Sequence, residues 1–249
     1  LLLEAVAGVA SIDTRFGWTA VSADPSGAVM ITSTAENGPD FGSMSLRADV
    51  VVGADGVNSA VRSTGGFVSR VSSGSSYVRT IVRGRANPWF EEYWTPLGSF
   101  GHAPLGDDLV YFWAAAHAAE AAEATSRRDL AAFNHEWREV LPAAADLLER
   151  VSSFDYLLVN TVRRVDCRRW FSGRLVLLGD AAHAMAPNLG QGANSALVDA
   201  VVLTQELGTA PSVMNALVGY DKRRRATVRR LQQTAELLQR LCRIEQVDV

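Results

Sequence analysis

The chain has 249 residues, of which 48% are hydrophobic and 20% are charged, and this composition is typical of a globular protein with one sizeable core or two smaller ones. Its net charge of -3 supplies no broad positive field for phosphate backbones, which argues against nucleic acid as a partner. The longest apolar stretches, such as residues 175–178 and 196–203, are far shorter than the roughly 20 residues that cross a bilayer, so we expect no membrane span.

The first elements in the chain are a helix and a β-meander. Residues 1–9 have the pattern of a helix with no initiator Met and no N-cap residue in front of it. We therefore expect the chain to be cut at its start. Short β-type runs at residues 19–22 and 28–33 flank a turn at 24–27 and predict the meander. The apolar run 49–52 predicts a buried strand after it.

The middle of the chain has the pattern of a second domain. The Ser- and Gly-rich residues 65–76 suit a connection that leaves one domain for another. Helices are predicted over residues 126–151, with an interruption at Pro142. Strands of a second sheet are predicted at residues 77–84, 99–103 and 109–115.

The last third of the chain combines a buried strand with two helices. The apolar run 175–178 predicts the strand, and a final amphipathic helix is expected over 212–244. We interpret the basic run 222–225 as the solvated face of that helix. Another helix is predicted from about residue 192, and one apolar face of it is marked by Ala193, Leu197, Ala200 and Leu207.

Cys167 and Cys242 are the two cysteines, and neither belongs to a CxxC or Cys/His spacing. This pattern argues against a metal site and against a disulfide framework. A reducing, cytoplasmic setting fits it best.

The first candidate site follows the strand at 49–52. Gly53 and Gly56 flank Asp55, so the backbone can approach a ligand closely, and Arg62 could pair with a phosphate or anchor Asp55 itself. Asp-Gly turns are common, and taken alone this motif is more often an ordinary junction between a strand and a turn.

The second candidate site follows the strand at 175–178. Asp180 comes directly after Gly179, at the carboxyl end of a buried strand, where open α/β sheets bind ligands, and its carboxylate could accept hydrogen bonds from sugar-like hydroxyls. A turn then leads into the helix, whose first N–H groups and positive dipole end would face the cleft. The loop and turn contain Pro187, Gly190, Gln191, Gly192, Ala193 and Asn194.

Together the two motifs resemble the DG and GD fingerprints of the FAD-dependent aromatic hydroxylases, the para-hydroxybenzoate hydroxylase class. The resemblance implies that Asp180, beside Gly179, contacts the ribityl chain of FAD. It implies that the loop from Pro187 to Asn194 borders the isoalloxazine ring, where the helix N-terminus would stabilise the negative charge of a reduced flavin. It assigns Asp55, Gly56 and Arg62 to binding the pyrophosphates of FAD and NAD(P)H.

The middle of the chain is similar to the urate, salicylate and zeaxanthin-type branch of that family, at Arg83-Gly84 and at residues 100–105 and 110–113. Our candidates for the substrate pocket are Arg83, His102, Tyr111 and Trp113. Arg83 could orient an anionic substrate, although a surface arginine fits as well. His183 is interpreted as structural. Several aromatic residues lie on the predicted strands, and because side chains alternate between the faces of a sheet, roughly half of them should be core.

The resemblance implies an enzyme in which NADH or NADPH reduces FAD and O2 then supplies one oxygen atom to a small-molecule substrate. That substrate would be aromatic or otherwise electron-rich, and the reaction a hydroxylation or an epoxidation. The cofactor carries the chemistry, so no side-chain nucleophile is expected. The alternatives are a related flavin reductase or halogenase, and a truncated fragment that acts as a binding module. Substrate identity and a homo-oligomer are left open.

The predicted fold class is α/β: part of a Rossmann-like FAD-binding domain with an inserted α+β substrate domain, a mixed sheet plus helices, and a C-terminal helix. We assign residues 1–63 and 166–210 to the FAD-binding domain, 64–165 to the substrate domain and 211–249 to the terminal helix. Family members open with a βαβ unit that carries Gly-x-Gly-x-x-Gly for the ADP half of FAD, and this unit is expected to be missing here.

Overall fold

The computed structural model describes residues 2–34, 42–84, 89–106, 108–116 and 118–242. The strands in this part of the chain are β1 (Trp18–Asp24), β2 (Ala28–Ser33), β3 (Ser43–Arg47), β4 (Val51–Gly53), β5 (Ser69–Arg83), β6 (Glu91–Thr95), β7 (Gly98–Pro104), β8 (Leu109–Ala116), β9 (Leu158–Cys167), β10 (Phe171–Ser172) and β11 (Leu175–Leu177). The helices are α1 (Leu2–Ala7), α2 (Ala60–Thr64), α3 (Ala119–Ser126), α4 (Leu130–Val140), α5 (Pro142–Leu148), α6 (Asp180–His183), α7 (Gly192–Thr209) and α8 (Val213–Leu241).

The chain divides into two compact units. Unit 1 contains residues 1–69, 166–182 and 196–226, and unit 2 contains residues 70–165, 183–195 and 227–249. We expected residues 183–195 in the FAD-binding domain with 166–182, but they belong to unit 2. The terminal helix α8 was expected as a separate element, and it is divided between the two units. Among the described residues, none of the helices is both long enough and apolar enough to cross a membrane.

Unit 1 contains two small sheets. In the first, β1, β2 and β3 form the predicted antiparallel meander, to which the sequence had not assigned β3. In the second, β4 and β11 pair in parallel, with Val51 opposite Leu175 and Gly53 opposite Leu177, and β10 adds antiparallel to β11. Because parallel strands end at the same edge of a sheet, the segments that follow β4 and β11 leave the sheet together.

The core of unit 1 is built around β11. All three of its residues are buried completely, and the Tyr220 hydroxyl of α8 donates a hydrogen bond to the Leu177 carbonyl at 3.1 Å. Burial raises the pKa of Tyr220. A Cβ at Gly53 would lie 2.9 Å from Leu177 and Val61, so glycine allows β4 to approach both side chains.

Unit 2 contains a five-stranded sheet in the order β6-β7-β8-β5-β9. One face packs on α3, α4 and α5: Phe100 lies 5.6 Å from Phe112 and 5.4 Å from Trp137, ring centroid to ring centroid. The paired register places Tyr77, Tyr111 and Trp113 on the opposite face.

The expected connection at residues 65–76 is wrong from Ser69 onwards. β5 runs without interruption over 15 residues from Ser69, and the Ser76 hydroxyl hydrogen-bonds the Thr161 hydroxyl of β9 at 2.9 Å. Serine side chains that pair with a neighbouring strand are compatible with a pleated sheet. The helices predicted over 126–151 are confirmed as α4 and α5, with Pro142 in the first turn of α5, but α3 already begins at Ala119.

Candidate cofactor site

The turn after β4 is held together by its own side chains. An Asp55 carboxylate oxygen accepts a hydrogen bond from the Val61 N–H at 3.2 Å, and the Ser59 hydroxyl accepts one from the Arg62 N–H at 2.9 Å. Both acceptors satisfy N–H groups at the start of α2 that have no partner inside the helix. Gly56 has φ = 78°, so its backbone conformation requires glycine although a Cβ there would meet nothing within 4 Å.

Arg62 links the turn after β4 to the turn after β11. Its side chain is 6% exposed, and the guanidinium donates to the Ala181 carbonyl at 2.8 Å and to the Val57 carbonyl at 2.5 Å. The first contact reaches the segment after β11, and the second stays within the turn after β4. Arg62 therefore fixes the position of one turn against the other, a role that the spacing of the motif did not reveal.

We expect Arg62→Lys to reduce the free energy of unfolding by about 1–3 kcal/mol, because a single ammonium group cannot reach both carbonyls in the geometry of the guanidinium. Urea unfolding followed by circular dichroism measures the change. Arg174→Lys, which alters a half-exposed ion pair with Asp49 in the same unit, is the matched control. Equal midpoints for the two variants would rule out this role for Arg62.

The turn after β11 is shaped by Gly179. This residue is buried, has φ = 60°, and donates its N–H to an Asp199 carboxylate oxygen of α7 at 3.2 Å. A Cβ at Gly179 would lie 2.9 Å from the Cβ of Ala196, so α7 packs directly against the turn. Asp180 follows as the first residue of α6 and is exposed. The turn thus presents an exposed carboxylate at the carboxyl edge of the β4–β11 pair.

Asp199 and Arg224 form an ion pair that sequence reasoning missed. The Asp199 side chain is buried completely, and the Arg224 Nε lies 2.7 Å from its Oδ1. The expectation that residues 222–225 form a solvated face is wrong for Arg224, which is 8% exposed. One signal was available: Asp199 is the single charged residue in the apolar run 196–203. A charge in such a run indicates a buried partner.

The loop and turn of the second motif lie in unit 2. Residues Pro187–Leu189 form a short 3-10 turn, and Gly190 follows with φ = 61° and donates its N–H to the Pro187 carbonyl at 2.7 Å. The 18-residue helix α7 then begins at Gly192, as predicted. The first N–H groups of a helix have no partner within it, so this turn can offer donors to a polar or anionic group. Gly190, Ala193 and Asn194 are exposed, and Gln191 and Gly192 are half-buried.

The structure brings two of the four substrate-pocket candidates together. The rings of Tyr111 and Trp113 lie 5.7 Å apart on one face of the unit 2 sheet, and Phe90 stacks on Trp113 at 5.3 Å. Gly101 lies opposite Trp113, and a Cβ there would be 2.0 Å from the indole ring. Glycine at this position lets the indole lie across the strand. Arg83 is on the same face with its side chain 87% exposed, 3.5 Å from Asp108.

His102 lies on the other face of the sheet. It is opposite Phe112 in β8 and Glu91 in β6, and its Nε2 is 3.0 Å from a Glu91 carboxylate oxygen. The Tyr93 hydroxyl donates to the same Glu91 oxygen at 2.8 Å, and this hydrogen bond raises the pKa of Tyr93. His102 therefore lies on the opposite face of the sheet from Tyr111 and Trp113. His183, in the second motif, is buried.

Comparison with known proteins decides the family. A family described as "FAD binding domain" matches residues 1–235. The chain belongs to this FAD-binding family. Aurachin C monooxygenase/isomerase of Stigmatella aurantiaca is 35% identical over 182 residues, which are 71% of this chain and 47% of that protein. FAD-dependent urate hydroxylase of Mycolicibacterium vanbaalenii is 29% identical over 238 residues, 90% of this chain and 57% of that protein.

Among solved structures, the tetrameric form of 2-methyl-3-hydroxypyridine-5-carboxylic acid oxygenase matches with a TM-score of 0.76 and 27% identity. The match covers 96% of this chain and 64% of that one. It confirms the predicted α/β class, and the relatives confirm the resemblance to aromatic FAD monooxygenases. The chain spans only 47% of the aurachin enzyme and 46% of a kynurenine 3-monooxygenase from Salinispora arenicola.

Proposed function

We propose that the chain supplies cofactor and substrate elements of an FAD-dependent monooxygenase, which uses NADH or NADPH and O2 to hydroxylate or epoxidise an aromatic or other electron-rich small molecule. The observation that carries this proposal is the turn at Gly179, which exposes the Asp180 carboxylate at the edge where β4 and β11 both end. Open α/β sheets bind their ligands at such an edge. The monooxygenase names of the relatives support the reaction class.

Each unit, taken by itself, contains residues that suit a part of the FAD molecule. The Asp180 carboxylate can accept hydrogen bonds from the ribityl hydroxyls, and the start of α7 can direct N–H groups and a positive dipole end at the polar edge of the flavin ring. Bound FAD would supply the redox chemistry and the reaction with O2. The chain would bind the ring, orient it and exclude water from it.

The motif at Asp55 and Arg62 would act on the cofactor indirectly. Asp55 caps α2, and Arg62 holds two main-chain carbonyls, so their side chains are engaged within unit 1. We assign them to shaping the turn whose backbone approaches a pyrophosphate, with Gly56 supplying the left-handed conformation.

The aromatic face of the unit 2 sheet suits a planar substrate. Tyr111, Trp113 and Phe90 supply adjacent rings, and Arg83 could orient an anionic group on the substrate. His102 is left out of this set because it faces the helices. For the whole protein we propose a cytoplasmic location and a homo-oligomer, the latter supported by the tetrameric form of the pyridine-ring oxygenase.

Binding of FAD to wild type and to Asp180→Ala tests the proposal, with flavin absorbance measured after removal of free ligand. We expect the variant to bind about tenfold or more weakly, because hydrogen bonds to a carboxylate are worth roughly 1.5–3 kcal/mol and 1.4 kcal/mol is tenfold. Asp49→Ala, also an exposed aspartate of unit 1, is the control. Equal affinity of Asp180→Ala and wild type, in this chain and in the full-length protein, overturns the assignment. NAD(P)H oxidation with candidate aromatics then tests the reaction.

A further inference from the structure

The C-terminal half of α8 buries a polar stripe. Gln232, Ala235 and Gln239 recur on one side of the helix and are buried, as is Cys242 directly after it, whereas the neighbouring Gln233 is exposed. The two buried glutamines are 3% and 7% exposed. Buried amide groups need hydrogen-bond partners, so their positions indicate what this stripe contacts.

Gln232 fixes the beginning of the loop at residues 183–191. Its Nε2 donates to the Ala184 carbonyl at 3.1 Å and to the Val165 carbonyl at 2.9 Å. The Val165 N–H also donates to the Ala184 carbonyl, at 3.0 Å. The loop is therefore tied to β9 and to α8 as soon as it leaves α6.

Asn188 fixes the same loop four residues later. Its Nδ2 lies 3.8 Å from the Cys242 Sγ, within hydrogen-bond range for sulfur. The Tyr77 hydroxyl of β5 is buried beside the side chains of Asn188, Gln239 and Ser99, and its burial raises the pKa of Tyr77. Asn188 of the 3-10 turn thus lies beside both the buried Tyr77 hydroxyl of the sheet and Cys242 at the end of α8.

We propose that Tyr77, Gln232 and Gln239 form a clamp that holds the 183–191 loop and thereby sets how the turn at Gly190 faces the flavin ring. All the groups involved belong to unit 2. The three are positioning residues, since they act through Ala184 and Asn188. This inference rests on the proposed function, because it assumes that the loop borders a flavin.

A polar clamp suits this task better than an apolar contact would. Hydrogen bonds are directional, so the two bonds from Gln232 restrict the position of the loop, whereas packed aliphatic groups tolerate sliding. The contacts at Ala184 and Asn188 lie six and two residues before the exposed Gly190, and a glycine turn restricts its own backbone little. Donors that face a developing charge contribute most when they are held in place beforehand.

The test uses Gln232→Ala, Gln239→Ala and Tyr77→Phe, with Gln233→Ala as the matched control on the exposed side of the same helix. All are made in a Cys167→Ala background, so that Cys242 is the single thiol. The first readout is the rate at which N-ethylmaleimide alkylates Cys242 without FAD. We expect Gln239→Ala and Tyr77→Phe to raise this rate about tenfold, corresponding to ~1.4 kcal/mol of easier local opening, with Gln233→Ala like the background.

The second readout is the absorption spectrum and the dissociation constant of bound FAD. We expect all three clamp variants to shift the flavin bands and to weaken FAD binding. A purely structural role would lower the melting temperature without moving the flavin bands.

The outcomes separate the clamp from the proposed function. Alkylation rates of Gln239→Ala and Tyr77→Phe equal to that of Gln233→Ala overturn the clamp, whether or not FAD binds. Faster alkylation with an unchanged flavin spectrum overturns the positioning role. Failure of the full-length wild type to bind FAD counts against the proposed function and with it the flavin role, while the alkylation rates still decide whether the loop is clamped.

Discussion

We expect Asp199→Ala to lower the free energy of unfolding by about 3–5 kcal/mol, the cost of breaking a buried ion pair by removing one partner. The change also removes the acceptor of the Gly179 N–H, so the turn before Asp180 loses its hydrogen bond to α7. Urea unfolding followed by circular dichroism measures the loss as a lower midpoint.

Two further variants show which property of Asp199 matters. Asp199→Asn keeps an acceptor for Gly179 but removes the charge, and its stability should lie between those of wild type and Asp199→Ala. Asp155→Ala breaks an exposed ion pair with Arg128 and should have little effect. If Asp199→Ala were as stable as Asp155→Ala, the buried pair would contribute no more than a surface contact.

Gly179→Ala should cost about 2–4 kcal/mol and weaken FAD binding together with stability. The new Cβ would be strained by φ = 60° and would lie 2.9 Å from the Ala196 Cβ. Relief of that overlap either moves the turn, which displaces Asp180, or moves α7, which carries the Asp199 acceptor of the Gly179 N–H. Urea unfolding and FAD titration give the two effects.

Gly190→Ala is the matched control for the backbone strain. Gly190 has φ = 61°, but a Cβ there would meet nothing within 4 Å, so it should show the conformational cost alone. The double variant Gly179→Ala with Ala196→Gly should recover part of the loss, since it removes the opposing methyl group. No recovery would mean that the overlap with α7 is not the cause.

Much of the fold followed from periodicity. Alternating and apolar runs located β1, β2, β7, β8 and β11, and the turn residues at Asp55 and Asp180 were expected at strand ends, as observed. Period-two alternation also explains why Phe100 is core while Tyr111 and Trp113 are not. The sequence does not show which face of the unit 2 sheet α3, α4 and α5 cover. For that reason it did not separate His102, which lies on that face, from Tyr111 and Trp113 on the other.

The unpredicted features depend on partners distant in the chain. The serines of β5 favoured a linker in the sequence, whereas in the structure they belong to a strand in which Ser76 hydrogen-bonds Thr161 of β9. On α7, the residues that marked an apolar face are exposed in the described structure, with Leu197 at 63%, whereas the buried face carries Asp199, Val202 and Leu203. Helical spacing identifies the more apolar side of a helix as the buried one. On α7 the buried side carries the charged Asp199, so this rule selected the exposed side instead.

The parallel pairing of β4 with β11 also bears on the order in which the protein folds. During synthesis β4 emerges before the whole of segment 70–165, and its partner strand emerges after it. Local pairings such as β7 with β8 can form on the nascent chain, whereas β4 cannot pair with β11 until β11 has been synthesised. The turns that carry Asp55 and Asp180 therefore come together late, and their formation includes the entropy of closing a long loop.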